Sequence, residues 1–308
     1  MNAIGNTPLI KLNKLSDENS ADIYVKFEGA NPTGSMKDRM ALAMIEGAEK
    51  RGELKKGYKV VEYTGGSTGS SLAMICANKG YKAHFVSSDG FAKEKIQTMR
   101  AFGATVEIIP AKNGKLTAEI INKMISRAKE LIDEPNTFWT DQINNPDNKK
   151  GYYGMANEII SALGTHIDEF VMAVGGGGCI SGNSEILKEK IPNLKTIAVE
   201  PLYVRNISGG DTSGTHKLEG IGLSFTPSIL RKDLIDDIIA VSDEDAYRTA
   251  RELAQKEGIF GGATSGANVW AAMQRAKILG PGKKIVTVIC DSGLKYLQGD
   301  LYKNSNNL

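Results

Sequence analysis

Cysteine, histidine and tryptophan are scarce in this sequence. Its 308 residues include three cysteines, three histidines and two tryptophans. Cys76, Cys179 and Cys290 are too few and too scattered for a disulfide framework or a zinc site. Cys76 and Cys290 lie in apolar runs, which predicts buried and inert thiols. The histidines have no metal-ligand spacing, so we expect no metal centre.

The sequence also lacks a charge excess and long hydrophobic segments. Its formal net charge is +2 with acids and bases interspersed, which gives no sign of a nucleic-acid-binding or membrane-binding surface. No apolar run reaches the length of a membrane span, and the first residues carry no basic segment followed by an apolar one. We therefore expect a cytoplasmic protein that binds neither nucleic acid nor membrane.

Short apolar runs alternate with helical patterns almost throughout the chain. Unbroken apolar strands are typical of a sheet that is covered on both faces. The sequence therefore predicts an α/β fold with a parallel, doubly wound arrangement. The predicted strands are 23–27, 59–63, 83–87, 105–109, 170–174, 196–199, 238–241 and 284–289.

Turn-forming residues divide the chain near residue 145. Asn144, Asn145 and Pro146 interrupt the alternation there. With 308 residues, the chain is long enough for two domains and a large core. Two such halves would meet at a cleft, which is where open α/β sheets bind their ligands.

Three glycine-rich turns closely follow apolar runs, as anion-binding loops at helix starts do. Backbone N–H groups at a helix N-terminus bind phosphate or carboxylate, and glycine leaves them accessible. Each turn also has an ordinary interpretation, as a tight turn or as a helix cap formed by Ser or Thr. The three segments are 64–69, 175–179 and 262–266.

Lys37 is the one candidate nucleophile near such a loop. By itself, a lysine in the first turn of a helix is usually a surface residue. Here a Pro-Thr-Gly turn precedes it, and Asp38 with Arg39 can form a charged scaffold behind it. A lysine that forms a Schiff base needs a ligand aldehyde and a held phosphate. The lysine and the loops together therefore point to pyridoxal phosphate.

Nucleotide-binding motifs are absent from the sequence. The turn at 175–178 does not fit G-x-G-x-x-G, because Ile180 and Ser181 follow it closely. No G-x-x-x-x-G-K-[ST] pattern occurs either. These absences weaken the dehydrogenase and ATPase hypotheses.

Taken together, these residues resemble the cysteine synthase (O-acetylserine sulfhydrylase) and cystathionine β-synthase family of fold-type II pyridoxal-phosphate enzymes. The resemblance runs from 4–9 to 291–297, essentially the whole chain. It implies two doubly wound α/β domains, similar to the tryptophan synthase β fold, with the active site in the cleft between them. The larger, phosphate-binding domain would comprise 1–35 and 145–308. The smaller, mobile domain, which binds the substrate carboxylate, would comprise 36–144.

The resemblance also implies roles for individual residues. Lys37 looks like the lysine that binds the cofactor covalently, and Thr264 like the hydroxyl that hydrogen-bonds the pyridine nitrogen. Ser67 occupies the place of an asparagine that contacts both the cofactor and the substrate carboxylate. The phosphate site corresponds to Gly175, Gly176, Gly177, Gly178 and Cys179. The substrate site corresponds to Thr64, Gly65, Gly66, Ser67, Thr68, Gln142 and Gly222.

Two of these residues keep an ordinary interpretation. A helix N-terminus lowers the pKa of a thiol, so Cys179 could be reactive, although packing or a plain anion contact is favoured. Gln142, just before the domain break, could be a solvated surface residue.

The reaction that the resemblance implies is β-replacement on a serine-type amino acid through an α-aminoacrylate, with Lys37 moving the α-proton. The first expectation is a cysteine synthase, which makes L-cysteine and acetate from O-acetyl-L-serine and sulfide. The alternative is a cysteine-consuming lyase or β-synthase that releases hydrogen sulfide and forms serine, lanthionine or cystathionine. Departures from the usual Thr-Ser-Gly-Asn-Thr-Gly loop support the alternative, because Gly65 replaces serine and Ser67 replaces asparagine.

The resemblance further implies partners. The small-molecule partners would be an amino-acid substrate and sulfide or a thiol. A homodimer is expected, and a serine acetyltransferase is a candidate docking partner. A catalytically silent relative that only binds a partner is the rival hypothesis, and the intact Lys37 argues against it.

Overall fold

The computed structural model describes residues 1–111 and 117–303. The chain divides into two compact units. Unit 1 comprises Met1–Ile4 and Lys37–Gly151, and unit 2 comprises Gly5–Met36 and the chain from Tyr152 onward. Each unit has its own sheet with helices between the strands, which confirms the α/β class.

The strands of the described residues follow the predicted alternation with helices. All predicted strands are present, with ends that shift by no more than two residues. The strands are β1 (Leu9–Lys11), β2 (Asp22–Phe27), β3 (Lys59–Tyr63), β4 (Lys82–Ser88), β5 (Thr105–Ile109), β6 (Thr137–Trp139), β7 (Glu169–Ala173), β8 (Lys195–Pro201), β9 (Asp237–Val241) and β10 (Lys284–Ile289).

The helices are largely those expected from the apolar periodicity. The predicted start of α8 is confirmed, because Ser242 Oγ accepts the Asp245 N–H at 3.0 Å. The helices are α1 (Lys37–Arg51), α2 (Ser67–Lys79), α3 (Lys93–Ala101), α4 (Ala118–Ile132), α5 (Asp147–Lys150), α6 (Tyr153–Leu163), α7 (Gly178–Lys190), α8 (Asp243–Glu252) and α9 (Ala263–Leu279).

The sheet of unit 1 has the strand order β5-β4-β3-β6, and all neighbouring strands are parallel. The chain runs outward from β3 to β4 and β5, then returns to place β6 on the other side of β3. This reversal creates a topological switch point at the carboxyl ends of β3 and β6, where open parallel sheets bind ligands. The glycine-rich segment 64–69 follows β3, and Gln142 follows β6.

The sheet of unit 2 has the order β1-β2-β10-β7-β8-β9. All its pairs are parallel except β1 with β2, which are antiparallel. The predicted strands of this sheet are all parallel, as expected, and the antiparallel edge strand β1 was not predicted. The order reverses between β7 and β10, so the glycine turn after β7 lies at a second switch point.

Each unit buries its own apolar core. In unit 1, Met124 and Leu131 of α4 pack with Val61 and Val86 of the sheet. In unit 2, a larger cluster joins the strands to α8 and α9. Burial of apolar area at roughly 25 cal/mol per Å² holds the sheets against their helices and so fixes where each strand ends.

Candidate active site

The segment that follows β3 folds around the hydroxyl of Thr64. Thr64 Oγ1 accepts the N–H of Gly66 at 3.3 Å and the N–H of Gly69 at 3.1 Å. Two accepted bonds leave the hydroxyl proton for donation, which suits a carboxylate. α2 begins directly after Gly66 without a side-chain cap. Because the first N–H groups of a helix have no acceptor within it, this end of α2 also suits an anion.

Gln142 is held beside this loop by hydrogen bonds of both its side chain and its backbone. Its Oε1 accepts the Thr68 hydroxyl at 2.8 Å, and its Nε2 donates to Tyr63 O at 3.3 Å. Its backbone oxygen accepts Asn148 Nδ2 at 2.6 Å. Gln142 is therefore an anchored part of the loop, and the interpretation as a solvated surface residue is wrong.

Glu62 is a fully buried carboxylate that the sequence-based site did not include. Its Oε1 accepts Tyr63 N at 3.0 Å and Trp139 Nε1 at 3.2 Å. Its Oε2 accepts Thr140 Oγ1 at 2.6 Å and Gln142 N at 3.0 Å. Burial raises the pKa of Glu62 to about 7, although these donated bonds lower it. The sequence signal that could have identified Glu62 was an acidic residue inside the apolar run of β3.

Residues of α3 and of the turn before it cover three glycines of the 64–69 loop. The covering side chains are spaced four residues apart, so they lie along one side of the helical path. A Cβ added to any of these glycines would require the covering side chain to shift. The pairs, with the distance from the added Cβ, are Gly65 with Phe91 Cε1 (2.0 Å), Gly66 with Lys95 Cδ (2.9 Å) and Gly69 with Met99 Sδ (2.3 Å).

Lys37 is the first residue of α1, and its side chain is half-buried. The next two residues, Asp38 and Arg39, are buried. Asp38 Oδ1 accepts the Ser71 hydroxyl at 2.6 Å. Because Ser71 lies in α2, this bond holds the start of α1 against the helix that carries the 64–69 loop.

The glycine turn after β7 leads into α7. Gly177 precedes the helix with a φ of 82°, in the left-handed region that favours glycine. A Cβ at Gly175 would lie 2.0 Å from Gly220 O, and one at Gly177 would lie 2.9 Å from Leu230 Cβ. The turn therefore presents backbone atoms only, at the uncapped N-terminus of a 13-residue helix. This arrangement fits the phosphate of pyridoxal phosphate.

Gly222 lies beside the turn after β7. Its N–H donates to Val174 O at 3.3 Å, and its φ is 71°. A Cβ at Gly222 would lie 2.5 Å from His216 Nε2 and 2.6 Å from Pro201 Cγ. No side chain fits there, so residue 222 offers a ligand only its backbone.

Thr264 has a buried hydroxyl in the first turn of α9. This hydroxyl donates to Glu219 O at 2.8 Å. The alternative that Thr264 or Ser265 caps the helix is wrong, because α9 starts after Gly262 without a side-chain cap. Ser265 Oγ instead accepts the Cys290 N–H at 3.0 Å. The Thr264 hydroxyl can donate to a ligand only if its hydrogen bond to Glu219 O is broken.

All three cysteines are buried. This confirms the prediction for Cys76 and Cys290, and burial raises the pKa of the Cys76 thiol to about 12. Cys179 is the second residue of α7, where Asn183 Nδ2 donates to its backbone oxygen at 2.8 Å and approaches its Sγ at 3.5 Å. Burial and this contact favour packing for Cys179 over a reactive thiol.

The fold brings the sequence-predicted residues together in two groups, one in each unit. In unit 1, Lys37 begins a helix bonded to α2, and the 64–69 loop holds Gln142. In unit 2, the backbone segment 219–222 connects the turn after β7 to Thr264. The roles of these residues stay predictions.

Within residues 1–111 and 117–303, no group of three His, Cys, Asp or Glu side chains is placed to hold a metal ion. Among the helices of this part of the chain, none is both long and apolar enough to span a membrane.

A family model described as pyridoxal-phosphate dependent enzyme matches residues 1–291. A cysteine synthase of Staphylococcus aureus is 42% identical over 301 residues, which covers 97% of this chain and 95% of the relative. A probable cysteine synthase of Bacillus subtilis is 43% identical over 304 residues, which covers 97% of this chain and 96% of the relative.

A solved structure is similar over nearly the same length. It is a hydrogen sulfide-producing enzyme from Fusobacterium nucleatum, with 41% sequence identity and a TM-score of 0.89. The match covers 96% of each chain.

Proposed function

We propose that this chain, which belongs to the pyridoxal-phosphate-dependent enzyme family, makes L-cysteine from O-acetyl-L-serine and sulfide. The proposal depends above all on the hydrogen-bonded site that the 64–69 loop forms with Gln142 at the switch point of unit 1. Its donors suit the α-carboxylate of an amino acid. The nearly full-length similarity to cysteine synthases supports the same assignment.

When bound, pyridoxal phosphate supplies the electron-withdrawing system that acidifies the α-carbon of an amino acid. We assign its phosphate to residues 175–179, its ring nitrogen to Thr264 and its aldehyde carbon to Lys37 Nζ. The glycine turn supports the first assignment, because Gly175 and Gly177 have no room for a side chain. Thr264 would offer the ring nitrogen a neutral hydroxyl in place of a carboxylate. A neutral partner for that nitrogen fits β-replacement.

Lys37 is the group assigned to proton transfer. Its Nζ would remove the α-proton of the substrate and return it to the same carbon of the product. A general base needs a fixed position, and the Asp38–Ser71 bond holds the first turn of α1 in place. This restraint acts one residue away from Lys37 in the chain.

The substrate carboxylate is assigned to the loop 64–69 and Gln142. Thr68 donates its hydroxyl proton to Gln142 Oε1, so it offers a ligand its backbone N–H. Gln142 Nε2 donates one proton to Tyr63 O and keeps a second for the carboxylate. The Thr64 hydroxyl proton completes the set of donors, because the N–H groups of Gly66 and Gly69 already donate to Thr64 Oγ1.

A second candidate function is the breakdown of L-cysteine with release of hydrogen sulfide. The loop departures favour it, because Gly65 and Ser67 stand where serine and asparagine are usual and so alter the surroundings of the substrate. The similarity to the Fusobacterium nucleatum enzyme favours it as well. Serine, lanthionine or cystathionine would be the other product, depending on the nucleophile.

The two functions are separated by assaying the purified holoenzyme with each amino acid. We expect L-cysteine and acetate from O-acetyl-L-serine with sulfide, and slower sulfide release from L-cysteine. Release of sulfide from L-cysteine without acetate release from O-acetyl-L-serine would reverse the assignment. Lys37→Ala is the control, and it should abolish both activities.

We also propose a homodimer in the cytoplasm and, as a candidate partner, a serine acetyltransferase. Exposed apolar side chains in unit 2 support an interaction surface there, among them Leu294 and Leu297. Light scattering of the purified protein tests the dimer, and a monomer at micromolar concentration would refute it.

A further inference from the structure

Glu62 is a buried acid to which the proposed reaction assigns no role. It lies in β3, two residues before the 64–69 loop, and it is fully buried. It accepts four hydrogen bonds, two at each carboxylate oxygen. A carboxylate provides acceptors at both oxygens, so it matches four donors.

We infer that Glu62 is a positioning residue that sets the geometry of Gln142 in the substrate-carboxylate site, an inference that rests on the proposed function. It does not touch the substrate. It acts through the Gln142 backbone, whose N–H donates to Glu62 Oε2 at 3.0 Å.

The local backbone shows why this bond matters. Asp141, between Thr140 and Gln142, has a φ of 45°, which is strained for a residue with a side chain. Both neighbours of Asp141 donate to the same atom, Glu62 Oε2. Glu62 Oε2 therefore bridges the residues on either side of Asp141. It holds the turn in the conformation that points Gln142 toward the loop.

The side chain of Gln142 depends on that turn. Its two amide contacts, to Thr68 and to Tyr63 O, are possible only while the backbone at 142 stays in place. The remaining backbone bond, from Asn148 Nδ2 to Gln142 O, fixes the other side of the residue. Removing the Glu62 contact would release one of two backbone restraints and loosen the amide.

An amide at position 62 cannot replace the carboxylate. Gln offers one acceptor oxygen and one NH₂ group, so its NH₂ would face two N–H or O–H donors. If the NH₂ faced Tyr63 N and Trp139 Nε1, neither could accept. If it faced Thr140 and Gln142, the hydroxyl could rotate to accept but the Gln142 N–H could not. The second orientation leaves one donor without an acceptor and the first leaves two, so the second is preferred. Glu62→Gln therefore breaks the bond to Gln142 N while nearly conserving side-chain volume.

The first test is steady-state kinetics on the holoenzyme with O-acetyl-L-serine and sulfide. We expect Glu62→Gln to raise the KM for O-acetyl-L-serine about 10-fold with kcat within about 2-fold, because ground-state and transition-state binding are weakened alike. Gln142→Ala should raise KM at least as much. The double variant should be no worse than Gln142→Ala, since Glu62 acts only by positioning the Gln142 amide, which Gln142→Ala already removes.

Two further variants keep the test decisive. Thr140→Val, which removes one donor and retains the shape of the side chain, should raise KM about 3-fold and serves if Glu62→Gln does not fold. Glu169→Gln changes another fully buried glutamate, which pairs with Arg275 in unit 2, and should leave KM unchanged. Multiplicative effects of Glu62→Gln and Gln142→Ala, or a fall in kcat at constant KM, would overturn the inference.

A binding measurement separates failure of the inference from failure of the proposed function. L-Alanine carries the α-carboxylate but has no leaving group, and its binding to the holoenzyme is followed by cofactor absorbance. If O-acetyl-L-serine is not turned over but Glu62→Gln still weakens L-alanine binding about 10-fold, only the proposed function fails. Equal L-alanine affinity in wild type, Glu62→Gln and Thr140→Val would refute the positioning role.

Discussion

The Phe91 ring occupies the space that a side chain at position 65 would need. A Cβ added to Gly65 would lie 2.0 Å from Phe91 Cε1. The serine that is usual in this loop therefore cannot enter unless the ring moves. Phe91 therefore favours glycine at position 65.

This relationship predicts a strong coupling between the two positions. Gly65→Ser should destabilise unit 1 by about 1–3 kcal/mol through overpacking, and the Phe91→Ala background should remove most of that penalty. The measurement is urea unfolding followed by Trp139 fluorescence in a Trp270→Phe background, which leaves one tryptophan. Phe102→Ala, which truncates a more exposed aromatic of the same unit, is the control and should be additive with Gly65→Ser. Additivity of Gly65→Ser with Phe91→Ala would contradict the prediction.

The raised pKa of Glu62 predicts a pH-dependent stability of unit 1. Burial raises this pKa from 4.5 to about 7 in the folded state. Between these values the folded state binds more protons than the unfolded state, so the unfolding free energy from this group falls as pH rises. Below about pH 4.5 and above about pH 7 its contribution is constant, and the total change is at most ~3 kcal/mol.

The check is the difference between wild type and Glu62→Gln in unfolding free energy across that pH range. Subtraction removes the pH-dependent contributions that the two proteins share. We expect the unfolding free energy of wild type minus that of Glu62→Gln to fall as the pH rises from about 4.5 to about 7. Parallel profiles for the two proteins would show that Glu62 does not titrate there.

The glycine turn after β7 predicts a loss of cofactor affinity on substitution. Gly177→Ala places a Cβ at positive φ and 2.9 Å from Leu230 Cβ, which should displace the turn. We expect the Kd for pyridoxal phosphate to rise at least ~10-fold, because the donors of a phosphate must be accurately placed. Cofactor titration monitored by visible absorbance measures this value.

Gly164→Ala is the matched control for that variant. Gly164 also has a positive φ, 65°, but an added Cβ meets nothing within 4 Å. It should cost about 1–3 kcal/mol of stability, because a φ of 65° with a ψ of −150° is essentially confined to glycine, and leave cofactor affinity unchanged. An equal loss of pyridoxal phosphate affinity in the two variants would show that the turn after β7 does not bind the phosphate.

Lys37 is predicted to be the lysine that binds the cofactor covalently. Borohydride reduction of the holoenzyme, followed by peptide mass analysis, should place the reduced cofactor adduct on Lys37. Lys95, a buried lysine that packs on Gly66, is the second candidate within unit 1. Lys95→Arg should keep the adduct and Lys37→Ala should lose it, whereas an adduct on Lys95 would refute the assignment.

Local patterns were sufficient for most elements of the fold. Each of the predicted strands is present because a short segment rich in apolar or β-branched residues carries its own signal. The strands that were missed, β1 and β6, have only three residues each, and such short runs are indistinguishable from loops. β6 carries the segment that brings Gln142 to the 64–69 loop.

The sequence by itself determined the alternation of strands and helices, the glycine turns after β3 and β7, and the lysine at the start of α1. These features depend on periodicity and turn chemistry, which act over a few residues. Only the tertiary structure decided that Thr68 meets Gln142, 74 residues away, and that Glu62 holds Gln142 from a distance of 80 residues. Such contacts follow from the order of strands in the sheet, which is set by burial of the whole core rather than by any local run.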